Sequence, residues 1–360
     1  MPGIRATFIK APGDSEAMEK HEFVIVGAGP AGLRAAELLA KEGRDVLIVE
    51  KMNDKEVGNK VCAGAISPKT INFFPRDLFE TFTHKLSFFT PSLDEVMLES
   101  EKPFMGMVSR HELGQWQLDR AMSAGAALMD STEVKGVSIN EKKLKTADGE
   151  IGYEKLIGAE GTTSVIRKAL GMKRKEFLCF QWTLPNVTNE ELEVYLNFTR
   201  FGFGAMYLFP HDDYIVCGGG GADPRKPIKE FRDYTKKFFE KRFDFSGAVY
   251  GAAGVSFDYK GHRFGDITLL GDAGGFGNLL TGEGISQAVL SAEMEFGDRE
   301  KAEMIRERII LSKRKHDLLL KGYGPADALK ITRLADRFIP QLYSLAKGRV
   351  VDSWVNSEII

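Results

Sequence analysis

The stretch that decides the fold is residues 22–50, which read EFVIVGAGPAGLRAAELLAKEGRDVLIVE. Residues 22–27 are a short β-branched run that enters a glycine-rich turn, and residues 31–42 have helical spacing that Gly43 ends. A second apolar run, residues 45–49, ends at Glu50. The stretch therefore predicts a βαβ unit with the pattern GxGxxG at its first turn.

Each glycine of this turn has a mechanical role. Gly27 permits the tight turn, Gly29 lets the backbone approach a pyrophosphate, and Gly32 allows the helix to pack closely on the strand. The free N–H groups of the helix N-terminus then face the phosphates, and Glu50 can accept hydrogen bonds from a ribose diol. The unit predicts dinucleotide binding rather than a merely structural turn, but it does not separate FAD from NAD.

Two later segments favour a flavin. Residues 134–157 read as a three-stranded meander with a turn at Asp148-Gly149, a common elaboration of flavin domains. Residues 266–270 form a strand that ends in GDAGG, followed by TGEGI at 281–285, so Asp272 precedes a glycine-rich helix start at Gly282 and Gly284. An acid and a helix dipole in this order suit the ribityl chain and the N1/C2 carbonyl edge of reduced flavin. The alternative makes Asp272 an ordinary helix cap and Glu160, in the turn GAEGTTS, a surface residue.

Length and composition limit the class of protein. A chain of 360 residues suggests about two domains. Its 43% hydrophobic and 28% charged residues are typical of soluble globular proteins, and no apolar run approaches the roughly 18 residues that span a bilayer. A net charge of -2 offers no global attraction for nucleic acid, which we exclude as a partner. Three scattered cysteines without a CxxC pair predict no metal site and a reducing, cytoplasmic compartment.

Three further motifs resemble one family. NKVCAGAISPKT at 59–70 resembles the KxCGGxIS segment of the geranylgeranyl reductase family, which includes digeranylgeranylglycerophospholipid reductases. GDAGGFGNLLTGEGI at 271–285 is similar to that family's GDAAGFxNPxTGEGI, and YLFP at 207–210 resembles its YxWxFP block. The chain departs from the family at Tyr207, where tryptophan is usual, and at Leu279, where proline is usual.

The resemblance implies an α/β (α+β) fold, the p-hydroxybenzoate-hydroxylase-like flavoprotein, with a Rossmann-type FAD domain and an inserted antiparallel-sheet substrate domain. It also implies bound FAD and hydrogenation of carbon-carbon double bonds in a geranylgeranyl or other polyprenyl chain, in isoprenoid or ether-lipid biosynthesis. Residue by residue, it places FAD contacts at Ala31, Glu50, Cys62, Ala63, Ala65, Arg110, Val134, Asp272, Gly284 and Ile285.

The expected domain organisation is discontinuous. Residues 1–21 are a leader, and residues 22–65, 107–170 and 263–300 form the FAD-binding domain. Residues 66–106 and 171–262 form the substrate domain, and residues 301–360 a helical C-terminal region. The substrate domain is rich in phenylalanine, which either lines an isoprenoid channel or forms ordinary core: Phe73, Phe74, Phe79, Phe82, Phe88, Phe89, Phe177, Phe180, Phe198, Phe201, Phe203 and Phe209.

The chemistry implied by the resemblance is hydride delivery from reduced flavin and protonation of the other alkene carbon. Cys62 is the leading proton donor or a redox-sensitive gate, with a small buried hydrophobe as the alternative. Tyr207 either supports the proton path through its phenol or packs. We interpret the histidines as incidental to catalysis: His84, His111, His211, His262 and His316.

Residues 301–350 are locally basic and carry apolar residues at helical recurrence. We favour the interpretation that these residues form helices packed on the flavin domain. The alternative is that they attach the protein to an anionic membrane, at the inner face of the cell membrane. The electron donor stays open between NAD(P)H and ferredoxin, because a second GxGxxG unit is absent. Two other functions stay open: a flavin monooxygenase of aromatic substrates, and a flavin-binding protein without turnover.

Overall fold

The computed structural model describes residues 19–173, 176–197, 200, 203–222, 228–278 and 281–321. The leader up to residue 18, Phe198, Phe201, Leu279 and the basic segment beyond residue 321 lie outside the described residues, as do the side chains of Phe203 and His316.

The strands are, in chain order, β1 (Lys20–Val26), β2 (Val46–Val49), β3 (Ala65–Ile66), β4 (Thr81–Thr83), β5 (Lys85–Phe89), β6 (Glu95–Glu99), β7 (Met105–Met107), β8 (Ala127–Met129), β9 (Gly136–Ser138), β10 (Lys143–Lys145), β11 (Glu150–Gly158), β12 (Glu176–Pro185), β13 (Leu192–Leu196), β14 (Phe203–Pro210), β15 (Tyr214–Ala222), β16 (Val249–Ser256), β17 (Arg263–Phe264) and β18 (Ile267–Leu269). The helices are α1 (Pro30–Lys41), α2 (Pro68–Ile71), α3 (Arg110–Ser123), α4 (Val165–Ala169), α5 (Ile228–Phe239), α6 (Ile285–Phe296) and α7 (Arg299–Lys321). Short 3₁₀ turns cover Asp54–Glu56, Arg76–Leu78, Gly161–Thr163 and Gly271–Gly274.

The first sheet contains the predicted βαβ unit. Its order is β17-β18-β11-β1-β2-β8, and β18, β11, β1, β2 and β8 run parallel. β9 and β10 extend β11 as an antiparallel meander, as the sequence predicts. The apolar run of β2 is wholly buried because helices and the meander cover both faces of the parallel sheet.

Helix α1 connects β1 to β2 and packs against α3 and α6. Pro30 occupies its first turn, and Gly43, with φ +75°, ends it as predicted. The buried face of α1 is alanine-rich, which lets the neighbouring helices come close, and it includes Ala35 and Ala36.

The second sheet has the order β16-β12-β15-β14-β13-β5-β6 and is antiparallel except for the β13–β5 pair. Helix α5 covers one face, packing on Trp182 and Leu208 among others. A third small sheet, β3-β7-β4, lies in the segment between β2 and α3. The domain boundaries expected from the sequence stay a prediction.

Helix α7 packs on α6 through Ile305 and Ile309, which are buried with Leu290 and Met294. The first half of the basic C-terminal segment therefore has an apolar face turned to the rest of the fold. Within the ranges that the structure describes, no helix is long and apolar enough to cross a membrane.

Candidate functional site

The predicted motifs meet at one edge of the parallel sheet. The strands end one residue before these motifs begin: β1 before Gly27, β2 before Glu50, β11 before Ala159 and β18 before Leu270. The carboxyl ends of parallel strands lie on the same edge of a sheet, where ligands of doubly wound folds bind. Segments separated by more than two hundred residues thus form a single crevice.

The glycine turn at this edge packs directly on the turn after β11. Gly27 has φ +103°, and a Cβ there would lie 2.5 Å from the carbonyl oxygen of Ala159. A Cβ on Gly32 would collide with the carbonyl of Gly27 and lie 3.2 Å from the Cβ of Ala159. Gly29 precedes α1 as its N-cap, and a Cβ there would have only one neighbour, at 4.0 Å. Gly27 and Gly32 therefore close the turn, while Gly29 leaves the helix N-terminus open to a ligand.

Glu50 lies beside this helix start and is only 9% exposed. Its Oε2 accepts a hydrogen bond from the backbone N–H of Ala28 at 2.6 Å, and its Oε1 accepts one from Met52 at 2.9 Å. Each carboxylate oxygen has a second lone pair for a further donor. The side chain is thus held in place by the backbone with acceptor capacity left for ribose hydroxyls.

Arg110 begins α3, behind the cap Ser109, whose Oγ accepts from the N–H of Glu112 at 3.3 Å. The Nη1 atom of Arg110 is buried and has no hydrogen-bond partner. Burial lowers the pKa of the guanidinium, and the neighbouring thiol of Cys62 acts in the opposite direction. A buried guanidinium nitrogen without a protein acceptor fits a site that binds a phosphate oxygen.

Asp272 lies within the 3₁₀ turn that follows β18 rather than at a helix cap position. Burial raises its pKa, and the ammonium of Lys60, 3.7 Å from Oδ2, opposes that shift. Lys60 belongs to the NKVCAG motif but was not singled out from the sequence. It brings a positive charge to the same crevice.

Glu160 is a half-buried turn residue whose carboxylate is hydrogen-bonded within the protein. Burial raises its pKa to about 7, although its hydrogen bonds to the hydroxyl of Ser164 (2.8 Å) and the N–H of Ile166 (3.2 Å) act the other way. The side chain fixes the start of α4. Arg167 of α4 in turn donates to the carbonyl of Ala273 at 3.0 Å and pairs with Asp258 at 2.8 Å, so the two glycine-rich turns are tied together.

The remaining predicted contacts lie in two places. The segment Cys62 to Ala65 lies beside Ile285 at the start of α6, and Cys62 and Ile285 share one apolar cluster. Gly282 and Gly284 precede this helix, and a Cβ on Gly282 would lie 4.0 Å from Phe177. Val134 packs its side chain into the core beneath the meander, so only its backbone is available to a ligand.

One face of the second sheet is turned toward the Cys62 segment. The amide Nε2 of Gln181 in β12 donates to the carbonyl of Cys62 at 3.1 Å. Cys179 and Tyr207 lie on the same face, close enough to Cys62 for charge on any one to affect the others. Burial raises the pKa of Tyr207 well above its usual range and that of Cys179 to about 12, so both are neutral at pH 7.

Glycines make room on this face for the larger side chains. A Cβ on Gly218 would lie 2.9 Å from the hydroxyl of Tyr207, and one on Gly220 would lie 2.5 Å from the sulfur of Cys179. Both belong to the run Gly218–Gly221 of β15, the strand between β12 and β14.

Some phenylalanines of the second sheet and its surroundings form ordinary core, and others lie where they can line a channel. Phe180 packs under α5 against Phe231, at a ring-centroid distance of 5.2 Å, and Phe74 packs on Trp116, so these two are ordinary core. Phe177 and Phe209 share the face of Cys179 and Tyr207, and the ring of Phe209 is 5.0 Å from that of Tyr207. These two stay candidates for a channel wall.

No local pattern in the sequence predicts the environment of His211. Its side chain is buried, both ring nitrogens have partners, and one partner is the carbonyl of Ala63 in the predicted FAD segment. In the described residues, no cluster of three or more His, Cys, Asp or Glu side chains could hold a metal ion.

Comparison with known proteins identifies the class to which this architecture belongs. Residues 20–218, more than half of the chain, match the FAD binding domain family, and the chain belongs to that family. The cofactor is FAD, and the Arg110, Glu50 and glycine-turn geometry fits it.

Three relatives extend the comparison. The chain is 29% identical to an uncharacterized protein of Methanosarcina barkeri, over 76% of this chain and 73% of that protein. It is 26% identical to a chloroplastic geranylgeranyl diphosphate reductase of Oryza sativa subsp. japonica, over 75% of this chain but only 64% of the plant protein. It is also 26% identical to a digeranylgeranylglycerophospholipid reductase of Methanococcus vannielii, over 75% of this chain and 74% of that protein. These names agree with the family resemblance of the sequence motifs.

Two solved structures share the fold. A geranylgeranyl bacteriochlorophyll reductase-like protein from Thermoplasma acidophilum superposes with a TM-score of 0.69 at 21% identity, covering 94% of this chain and 92% of that one. A probable FAD-dependent monooxygenase, pqsL, from Pseudomonas aeruginosa gives a TM-score of 0.60 at 18% identity, covering 94% and 97%. The fold is the p-hydroxybenzoate-hydroxylase-like one, and the protein is a member of an FAD-dependent oxidoreductase family.

Proposed function

We propose that this protein is a reductase that hydrogenates carbon-carbon double bonds of a geranylgeranyl or other polyprenyl chain, in isoprenoid or ether-lipid biosynthesis. Supporting this are the three motifs of the resemblance and the relatives named geranylgeranyl diphosphate reductase and digeranylgeranylglycerophospholipid reductase. The proposed contacts to FAD are those of the crevice, with Arg110 at the pyrophosphate, Glu50 at the ribose and Asp272 at the ribityl chain.

The observation that carries the proposal is the neutral wall opposite Cys62. The described side chains on this face of β12, β14 and β16 have no charge: Phe177, Cys179, Gln181, Thr183, Ala205, Tyr207, Phe209, Ala253 and Val255, with Val249 exposed at the end of β16. A hydrocarbon chain needs no charged partner, and burying each of its CH₂ groups stabilises binding by about 0.8 kcal/mol. A carboxylated aromatic substrate, by contrast, would need a cation on this wall.

When bound, FAD in its reduced form supplies the hydride. The role of this chain is then to place the alkene and to deliver a proton. Cys62 holds that proton on its Sγ. The C–H bond forms as the S–H bond breaks, so one hydride and one proton add across the double bond. The neutral phenol of Tyr207 acts as a hydrogen-bond donor on the same side.

The test compares Cys62→Ser with wild type in anaerobic single turnover. Reduced protein is mixed with geranylgeranyl diphosphate or a digeranylgeranylglycerol phospholipid, and flavin oxidation is followed together with the mass gain of H₂ per double bond. Loss of a general acid should slow oxidation by on the order of 10²-fold with FAD still bound. Cys179→Ser, on the same wall, is the matched control and should remain near wild type.

Equal rates for wild type and Cys62→Ser would contradict the proton-donor role. If no isoprenoid oxidises the reduced flavin of the wild-type protein, the proposed reductase function is wrong. Oxygen-dependent turnover of an aromatic substrate would then favour the alternative of a flavin monooxygenase. The absence of any turnover would favour the alternative of a flavin-binding protein without enzymatic activity. NAD(P)H and ferredoxin are the proposed electron donors, to be compared by the rate of flavin reduction.

A peripheral membrane contact completes the proposal. Ile305 and Ile309 of α7 face the protein, whereas Leu311 on the same helix is 53% exposed. We propose that the outer side of this basic region approaches an anionic lipid surface, from which a polyprenyl substrate could enter.

A further inference from the structure

The backbone segment Cys62–Gly64, here called the thiol loop, is held by three separate parts of the chain. The carbonyl of Cys62 accepts from Nε2 of Gln181 at 3.1 Å, that of Ala63 from Nε2 of His211 at 3.0 Å, and that of Gly64 from the N–H of Val108 at 2.9 Å. Three successive carbonyls thus have donors from β12, from the β14–β15 hairpin and from the residue after β7.

His211 is itself fixed on both sides. A carbonyl oxygen only accepts hydrogen bonds, so Nε2 of His211 carries a proton. Nδ1 contacts Oε2 of Glu80, which places one more proton between the imidazole and the carboxylate. Tyr214 donates to the same carboxylate at 3.2 Å and stacks its ring on His211 at a centroid distance of 4.2 Å. The ring can neither flip nor rotate without losing a bond.

The imidazole also packs on the turn of the thiol loop. Gly64 has φ +71°, and a Cβ there would collide with the carbonyl of Val108 and lie 3.0 Å from Cε1 of His211. The N–H of Gly64 in turn points at the sulfur of Cys62 at 3.5 Å. A displacement of His211 would therefore shift Gly64, and the short turn would carry this shift to the sulfur of Cys62.

We propose that His211, oriented by Glu80 and Tyr214, and Gln181 are positioning residues that lock the thiol loop and so set where the Cys62 sulfur lies in the flavin crevice. His211 acts from outside the substrate wall, and Gln181 acts through its amide on the carbonyl of Cys62. The proposal rests on the proposed function for the meaning of the thiol, but the geometry of the loop can be measured without any substrate.

The experiment measures amide hydrogen exchange, by mass spectrometry, of peptides covering residues 60–66 in the FAD-bound protein. In His211→Leu, exchange in this segment should accelerate tenfold or more, while α1 exchanges as in wild type. His211→Gln retains an amide donor at the Nε2 position and should restore most of the protection. His262→Leu is the matched control, because His262 is also buried against a tyrosine and a glutamate, Tyr259 and Glu295, but contacts no part of the thiol loop.

Activity gives the second readout. In the single-turnover assay on FAD-loaded protein, His211→Leu should lower the rate at saturating substrate about tenfold, and His211→Gln should recover it. If His211→Leu does not fold, Gln181→Leu provides the same test at the carbonyl of Cys62. Unchanged exchange of residues 60–66 in whichever of these variants folds overturns the proposal. Faster exchange in a protein that reduces no isoprenoid would support the lock and reject only the proposed reaction.

Discussion

Replacement of Glu50 separates its two roles, holding the glycine turn and holding the ribose. The backbone N–H of Ala28 donates to the buried carboxylate at 2.6 Å and that of Met52 at 2.9 Å. In Glu50→Ala both donors lose their partner. In Glu50→Gln the side chain keeps one acceptor oxygen but turns an NH₂ group toward the other donor.

The magnitudes follow from these contacts. A hydrogen bond to a charged group contributes about 1.5–3 kcal/mol, so loss of the ribose bond should weaken FAD binding by roughly ten- to hundredfold. The apo-protein should lose about 1–3 kcal/mol of unfolding free energy, because the Ala28 N–H stays buried without an acceptor. Glu50→Gln should weaken FAD binding similarly, since it removes the charge, but should cost the apo-protein less than Glu50→Ala.

Both quantities are measured on the apo-protein: FAD affinity by quenching of flavin fluorescence, and stability by urea unfolding. Glu42→Ala, at the exposed end of α1, is the control and should change neither. An FAD dissociation constant that stays at the wild-type value in Glu50→Ala would refute the assignment of Glu50 to the ribose. A loss of affinity without loss of apo stability would refute only its role in the glycine turn.

Three further predictions concern the crevice and the basic segment. Arg110→Leu should weaken FAD binding at least tenfold. It should leave the apo-protein at least as stable as wild type, because it removes a buried nitrogen that has no partner. An apo-protein that is clearly less stable in urea would show that this guanidinium is structural. The pKa of Glu160 is about 7 in the folded state against an ordinary 4.5, so between these pH values the folded state binds more protons than the unfolded state. The free energy of unfolding should therefore fall as pH rises from about 4.5 to about 7. Glu160→Gln should flatten this slope in pH-dependent urea unfolding, and an unaltered slope would contradict the prediction. Cosedimentation with anionic vesicles should fall as salt rises from about 0.1 M to about 1 M, and no binding at low salt would reject the membrane contact.

The local motifs were predictable because their signals lie within short stretches of sequence. The spacing from Gly27 to Glu50 predicted β1, α1 and β2 to within two residues, and the turn at Asp148-Gly149 predicted the β10–β11 hairpin. A glycine pattern specifies a turn through backbone conformation alone, without reference to distant residues. FAD as the cofactor followed from three such turns and the resemblance.

The environment of the thiol was not predictable from the sequence. His211 and Gln181 are 148 and 119 residues away from the carbonyls that they hold, and no local pattern distinguishes them from other polar residues. For Glu160 the sequence left a surface turn as the alternative, and only the folded structure shows its carboxylate bonded to Ser164 and Ile166 at the start of α4.

The second sheet also shows which features the sequence predicts and which only the tertiary structure decides. Phe177 and Phe180 are three residues apart in β12, so strand periodicity places them on opposite faces but does not say which face meets the flavin crevice. Pairing with the glycine run of β15 and the position of α5 decide it: Phe180 goes under the helix, and Phe177 goes beside Gly282. The sequence by itself determined the cofactor turns, because each is a property of a few consecutive residues. The tertiary structure alone decided which side chains surround Cys62, because those contacts depend on strand register and on segments that are brought together only by folding.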